Sequence, residues 1–327
     1  MPDVLPLPVK IEPASDESGL GFLLRVARAN GLALMAMLEG LGLPRSTWLG
    51  ESAIAALARA TEVDHDWLME AIVIADQRQG YRWLRWQGRL WACPLSLRGA
   101  HPQVCVHCLK EGRPCMLEWE LTGVVVCLRH CSSLIDACGY CGRRLSWTRP
   151  AIDVCSCGHF LAADAPAARS DTMANWVASL ALKGCDRQQG FNAAQSTLPR
   201  WLGPMSADAT LAIGFAFGVR EKPFERVTSA AARVPPSTDR MASILARALV
   251  RLQGARDLTR ACRADLRLSV YEQGVRRLWT RNVCPADRDT AAALLQWLGA
   301  LHHRPRVLAD GQRADQGELF PLQDGHD

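Results

Sequence analysis

The chain has 327 residues, 49% of them hydrophobic and 22% charged, so it can build two or three domains with real cores and is too apolar to be disordered throughout. A net charge of +5 permits contact with nucleic acid without requiring it, and 34 arginines against four lysines fit either a genomic base bias or phosphate binding. The N-terminus lacks the basic and apolar blocks of a signal peptide, and the apolar run at 209–219 is too short to span a bilayer, which predicts a cytoplasmic protein with no membrane partner.

Residues 1–18 carry four prolines and read as an extended arm. From Gly19 the pattern turns helical. Leu20, Leu23, Leu24 and Ala27 recur at three and four residues, Asn30-Gly31 stops that helix, and Leu34, Met37, Leu38 and Leu41 form the next. Two short helices are expected at 51–60 and 64–74, around a turn at 61–63. Their apolar spacing fits a helix-turn-helix or two helices packed on each other.

At 81–91 (YRWLRWQGRLW) the chain reads as a short strand that Gln87-Gly88 turns back, with Tyr81, Trp83 and Trp91 on one parity. From Gln77 to Lys110 there is no acidic residue, but Arg78, Arg82, Arg85, Arg89 and Arg98 are present. Two readings stay open. The guanidinium groups, Arg82, Arg85 and Arg89 above all, meet phosphate while indoles stack on bases. Or the tryptophans form a small core with solvated arginines outside.

Thirteen cysteines in a reducing compartment point to metal rather than disulfides. Cys105-x2-Cys108 is followed after eighteen residues by Cys127-x2-His130, and Cys138-x2-Cys141 after thirteen by Cys155-x-Cys157. A C-x2-C turn points two sulfurs at one ion, and a second close pair supplies the other two tetrahedral corners. Thiolate and imidazole donors favour Zn²⁺ over Mg²⁺ or Ca²⁺. Two structural zinc ions are therefore expected, each closed by four protein ligands. Cys131 adjoins His130, and adjacent side chains rarely reach one ion, so it is expected to be a small buried thiol, as are Cys93, Cys115, Cys185, Cys262 and Cys284. His107 and His159 are expected to stay off the metals, although His159 could replace a ligand of the second site. No H-E-x-x-H, deaminase signature, phosphate-binding G-x-x-x-x-G-K-[ST] loop or G-x-S-x-G occurs.

Past a linker at 162–168, helices are expected at 173–182, 207–219, 239–252, 265–278 and 286–301. The expected fold is mainly α with small zinc-binding β/knuckle modules. Its parts are the arm (1–18), a helix-turn-helix-like domain with the basic aromatic hairpin (19–100), tandem zinc fingers (101–161), a helical C-terminal domain (169–305) and a disordered tail (309–327).

The run L-P-L-P-V-K-I-E-P-A-S-D-E-S-G-L-G-F-L-L-R-V-A-R-A-N-G-L (5–32) resembles the start of TniQ proteins, with Glu17, Ser18, Leu20, Phe22, Leu23, Arg25, Ala27, Asn30 and Gly31 in the family's places. The zinc segment is similar too: C-V-H-C-L (105–109), Trp119, V-C-L-R-H-C-S-S-L (126–134), C-G-Y-C-G-R-R-L (138–145) and C-S-C-G (155–158). Val106 stands where the family usually has Pro, and Cys131 where Gly is common. The resemblance covers about 5–160 well and the rest only in general helical character. It implies a non-enzymatic adaptor in DNA transposition that takes part in target-site selection. Such an adaptor bridges an AAA+ ATPase regulator (TniC-like) to DNA or to an RNA-guided targeting complex. The alternative is a zinc-stabilised helix-turn-helix transcriptional regulator that binds DNA alone; a metal-dependent nuclease is a thinner third reading. The sequence leaves room for a homodimer.

Overall fold

A computed structural model describes residues 5–78, 81–93, 95–164, 198–228, 235–256, 264–282 and 284–299. Residues 5–18 have no regular element but are pinned to the body. Val9 exchanges backbone hydrogen bonds with the Asn30 amide, its N–H reaching Oδ1 at 2.9 Å and its carbonyl accepting from Nδ2 at 2.8 Å. Leu7 N–H donates to the Ala60 carbonyl at 2.8 Å. Helix α1 (Gly19–Ala29) starts at Ser18, whose hydroxyl accepts from Gly21 N–H, and ends where Gly31 takes a positive φ of 69°. Its predicted apolar stripe, Leu20, Leu23, Leu24 and Ala27, is buried.

Helix α2 (Leu34–Gly40) is followed by α3 (Glu51–Thr61) and α4 (His65–Ala71). Glu62 makes the expected turn in the left-handed region, with φ 56°, and Asp64 caps α4 by accepting from Trp67 N–H. The second helix stops three residues earlier than its apolar pattern predicted. Ile74 instead opens strand β1 (Ile74–Arg78), which pairs antiparallel with β2 (Tyr81–Trp86), and β2 with β3 (Arg89–Trp91). The expected β2–β3 hairpin forms. Gln87 (φ 52°) and Gly88 (φ 65°) give it the two left-handed residues that match strand twist.

The predicted common face of Trp83 and Trp91 does not form. A two-residue turn pairs odd with even positions, here Leu84 with Trp91. Trp91 therefore shares a face with Leu84 and Trp86, its ring 5.7 Å from that of Trp86, and Trp83 lies on the other face.

Residues 95–164 hold few regular elements: α5 (Val106–Lys110), a 3-10 turn at Leu117–Glu120, another at Leu161–Ala163, and isolated bridges such as Val104–Ile135 and Val126–Ser133. Buried side chains do the work of a sheet. The Gln103 amide donates to the carbonyls of Trp119, Leu121 and Val124 at 3.0, 3.1 and 2.7 Å.

Next come α6 (Ala207–Gly218), α7 (Thr238–Gly254), α8 (Ala264–Ser269), α9 (Glu272–Arg281) and α10 (Pro285–Trp297). The helix expected at 265–278 is two helices. At the break, Tyr271 N–H donates to the Ala216 carbonyl of α6 at 2.7 Å rather than to its own helix. Two buried ties join this half to the rest. Asp208 accepts from Ala92 N–H (2.8 Å), Cys93 N–H (3.3 Å) and Ser96 Oγ (2.6 Å), and Thr238 Oγ1 donates to Gln103 Oε1 at 2.9 Å. The expected helix at 173–182, Cys185, Cys262 and the tail at 309–327 lie outside the described residues. Among the described residues no single helix is long and apolar enough to cross a membrane.

Candidate metal centres

The structure brings the eight predicted ligands into two clusters, Cys105, Cys108, Cys127 and His130 in one and Cys138, Cys141, Cys155 and Cys157 in the other, with one donor atom from each residue within 4.8 Å of the rest. In the first, Cys105 sits just before α5 and Cys108 inside it. The chain returns through the Val126–Ser133 bridge to Cys127 and turns sharply to His130. His130 Nδ1 lies 3.5, 3.4 and 3.5 Å from the sulfurs of Cys105, Cys108 and Cys127, and the last two sulfurs are 3.7 Å apart. Zinc bonds of about 2.3 Å to sulfur and 2.0–2.1 Å to nitrogen, at tetrahedral angles, put sulfurs about 3.8 Å apart and sulfur about 3.5 Å from nitrogen. The edges of this cluster match those of a tetrahedron around such an ion.

Electrostatics argue the same way. Hydrogen bonds from the Cys108 and Cys127 thiols push the Cys105 thiol well below its ordinary pKa, while Cys105 in turn raises Cys108, and Cys127 to about 11. With the Cys105 thiol ionised, the other two are held protonated until a dication takes the protons' place. The far side of the imidazole is held as well. His130 Nε2 and Glu111 Oε1 are 2.8 Å apart, and Arg113 (3.0 Å) and Arg129 (3.4 Å) flank Glu111 Oε2. The hydrogen bond with His130 holds the Glu111 carboxyl below its usual range. A carboxylate behind a ligating histidine fixes the tautomer and ring orientation. Sequence reasoning missed Glu111, because a supporting carboxylate has no required spacing.

In the second cluster the Cys138–Cys157 and Cys141–Cys155 sulfurs are 3.9 and 3.8 Å apart, again tetrahedral edges. The tighter C-x-C pair fits because Gly158, at φ 87°, returns its N–H to the Cys155 carbonyl at 2.8 Å. Burial raises the Cys155 thiol to about 12, whereas Arg143, through its backbone N–H and then its side chain, lowers Cys141 to about 6. Four protein donors per cluster leave no corner for a reacting water, the donor set of a structural rather than a hydrolytic site.

The other predicted residues fare variously. His159 stays out of the second cluster, its Nε2 2.9 Å from Asp164 Oδ1 and its ring stacked on Tyr140. His107 lies against the His130 ring, at 5.4 Å between centroids, outside the first cluster. Cys115 is buried as expected, and Cys93 and Cys284 are half-buried. Cys131 is a correction: it is exposed, not buried. Its φ is 48°, and its N–H donates to the Cys127 carbonyl at 2.8 Å. Gly142 does the same in the second cluster, with φ 69° and its N–H on the Cys138 carbonyl at 2.9 Å. Cys131 therefore fills the turn position of a knuckle, where the left-handed backbone throws its side chain outward.

Arg85 and Arg89 are not brought together. Arg85 Nη2 lies 2.7 Å from Glu51 Oε2, and the register places Arg85 and Arg89 on opposite faces of the hairpin, with Arg89 exposed. The Arg82 side chain lies outside the described residues.

The fold and sites thus define a mainly helical protein with a small antiparallel sheet, braced by two four-donor clusters suited to metal. The family model TniQ matches residues 8–134, a span from the pinned arm through the whole first cluster, and the resemblance seen in the sequence holds over that segment. No curated protein matches the chain.

Proposed function

We propose that this protein is a non-enzymatic, zinc-braced adaptor in DNA transposition. It links an AAA+ ATPase regulator of the TniC-like kind to target DNA or to an RNA-guided targeting complex. The observation that carries the reading is the TniQ match over 8–134, which is the family of a transposition accessory role. Two tetrahedral clusters with full donor sets support it, because they suit scaffolding rather than catalysis. Zn²⁺ bound at both would supply folding energy to a stretch with little regular structure of its own. In this reading α3 and α4 form a helix-turn-helix-like pair, and Arg82, Arg85 and Arg89 contribute phosphate contacts, Arg85 after giving up Glu51.

Two measurements test it. Elemental analysis of the purified protein should return two zinc equivalents, and an AAA+ ATPase of the TniC-like kind should co-purify with it and strengthen its DNA binding. Tight, sequence-specific binding at moderate salt by the isolated protein, with no effect of the ATPase, would replace the adaptor by the lone regulator.

A further inference from the structure

Beside the second cluster, beyond the TniQ match, lies a hollow of about 300 Å³ lined by Arg143, Arg144, Ser146, Thr148, Arg149 and Ser156, with the edge of Cys155. We infer that this hollow binds a backbone phosphate of a single-stranded nucleic acid. Three arginines and three hydroxyl-bearing residues line it, and no carboxylate is part of the lining. Such donors form short, charge-assisted hydrogen bonds with phosphate oxygens.

The arginines of the lining differ in how fully they are engaged. Arg149 is 1% exposed, donates to the Ala151 and Ser146 carbonyls at 3.1 and 3.0 Å, and stands over the Trp147 ring. Its Nη2 donates to Cys115 Sγ at 3.6 Å, and burial lowers its pKa although Cys115, Cys155 and Asp153 act the other way. Arg144 shares the carboxylate of Asp136 with Arg98, at 2.8 and 3.0 Å, so one carboxylate serves two arginines. The Nε of Arg144 is buried without a partner. A loaded four-thiolate centre carries two formal negative charges, which Arg143 and Arg149 offset. Arg98 and Arg144 face the carboxyls of Asp136 and Glu120.

The same module favours a polynucleotide over a free anion. Tyr140, between two of the ligands, is 78% exposed and stacked on the His159 ring, with centroids 5.5 Å apart and planes 15° from parallel. An exposed aromatic ring backed by a stacked imidazole is a surface on which an unpaired base stacks. This inference stands apart from the adaptor reading, since it needs no ATPase.

The test is fluorescence anisotropy with the full-length, zinc-loaded protein and a labelled single-stranded 20-mer of mixed sequence, over a salt series. Arg143→Ala and Thr148→Asp should each weaken binding about tenfold, the worth of a charged hydrogen bond. Each should also flatten the logarithmic salt slope by about 0.7, the share of one phosphate on a single strand. Zinc content is measured on both. If Arg143→Ala sheds metal, Thr148→Asp decides alone, because its exposed hydroxyl is hydrogen-bonded to Ser146 and not to a residue of either cluster. Unchanged affinity and slope in Thr148→Asp would overturn the inference. So would calorimetry in which inorganic phosphate binds the hollow while the oligonucleotide ignores both substitutions. Co-purification of the ATPase is scored on the same variants, so loss of the adaptor reading leaves the hollow standing, and the reverse.

Discussion

Cys131→Gly should stabilise the protein, although it deletes a cysteine next to a metal ligand. The residue sits at φ 48° with its side chain exposed. A left-handed backbone costs a residue with a Cβ roughly 1–2 kcal/mol. Glycine escapes that cost but loses more freedom on folding, roughly 0.5–1 kcal/mol. The exposed thiol has little packing to lose, so the net gain is about 0.5–1 kcal/mol. For a domain of 150–250 residues that raises the melting temperature by about 1–4 °C.

The assay is thermal unfolding of the zinc-loaded protein, paired with the rate at which a coloured chelator withdraws zinc. Cys131→Gly should melt higher, release metal no faster, and still hold two equivalents. Cys131→Val, with a branched side chain in the same backbone, should melt lower than wild type. A drop to one equivalent in Cys131→Gly would show that Cys131, not a turn residue, ligates the first ion, and the assignment of that site would fail.

Three other perturbations probe different parts of the fold. Glu111→Gln keeps the shape behind His130 but removes the charge, and should weaken metal at the first site by about 10–100-fold, read by competition with a chelator of known affinity. Asp208 is a buried carboxyl raised to about 6 by desolvation, so its contribution is present at low pH and lost as the pH rises through 6. Relative to Asp208→Asn, wild type should therefore gain about 1 kcal/mol between pH 7 and pH 5 in urea unfolding, and a pH-independent gap would refute the assignment. Gly218→Ala would set a Cβ 1.9 Å from the Ile244 carbonyl oxygen, so α6 and α7 must part. It should cost at least about 1–3 kcal/mol, and a neutral result would mean the two helices do not meet this closely.

What could be read from the sequence, and what could not, follows from the kind of restraint involved. Helix α1 was legible because its burial repeats every three or four residues, and the β2–β3 hairpin because Gln87-Gly88 suits a two-residue turn. The two four-donor clusters were legible because tetrahedral geometry dictates both residue type and spacing. Strand β1 was hidden because Ile72, Val73 and Ile74 are as apolar as the end of a helix. The break between α8 and α9 was hidden because it depends on a carbonyl of α6, which no local pattern reports.

The segment at 95–164 shows the same division inside one structure. Its helices and turns are three to five residues long, too short to satisfy a backbone by repetition. Single side chains take over: Gln103 for three carbonyls and Arg149 for two more. Each is an ordinary polar residue until the chain surrounds it, so no spacing rule finds it. Glu111 and the arginines of the hollow belong to this class, which is why the two clusters were found from spacing and their surroundings were not. A stretch held by such single ties gains most from two ions that each fix four residues at once. The candidate metal centres therefore stand, among the described residues, in a stretch with little regular secondary structure.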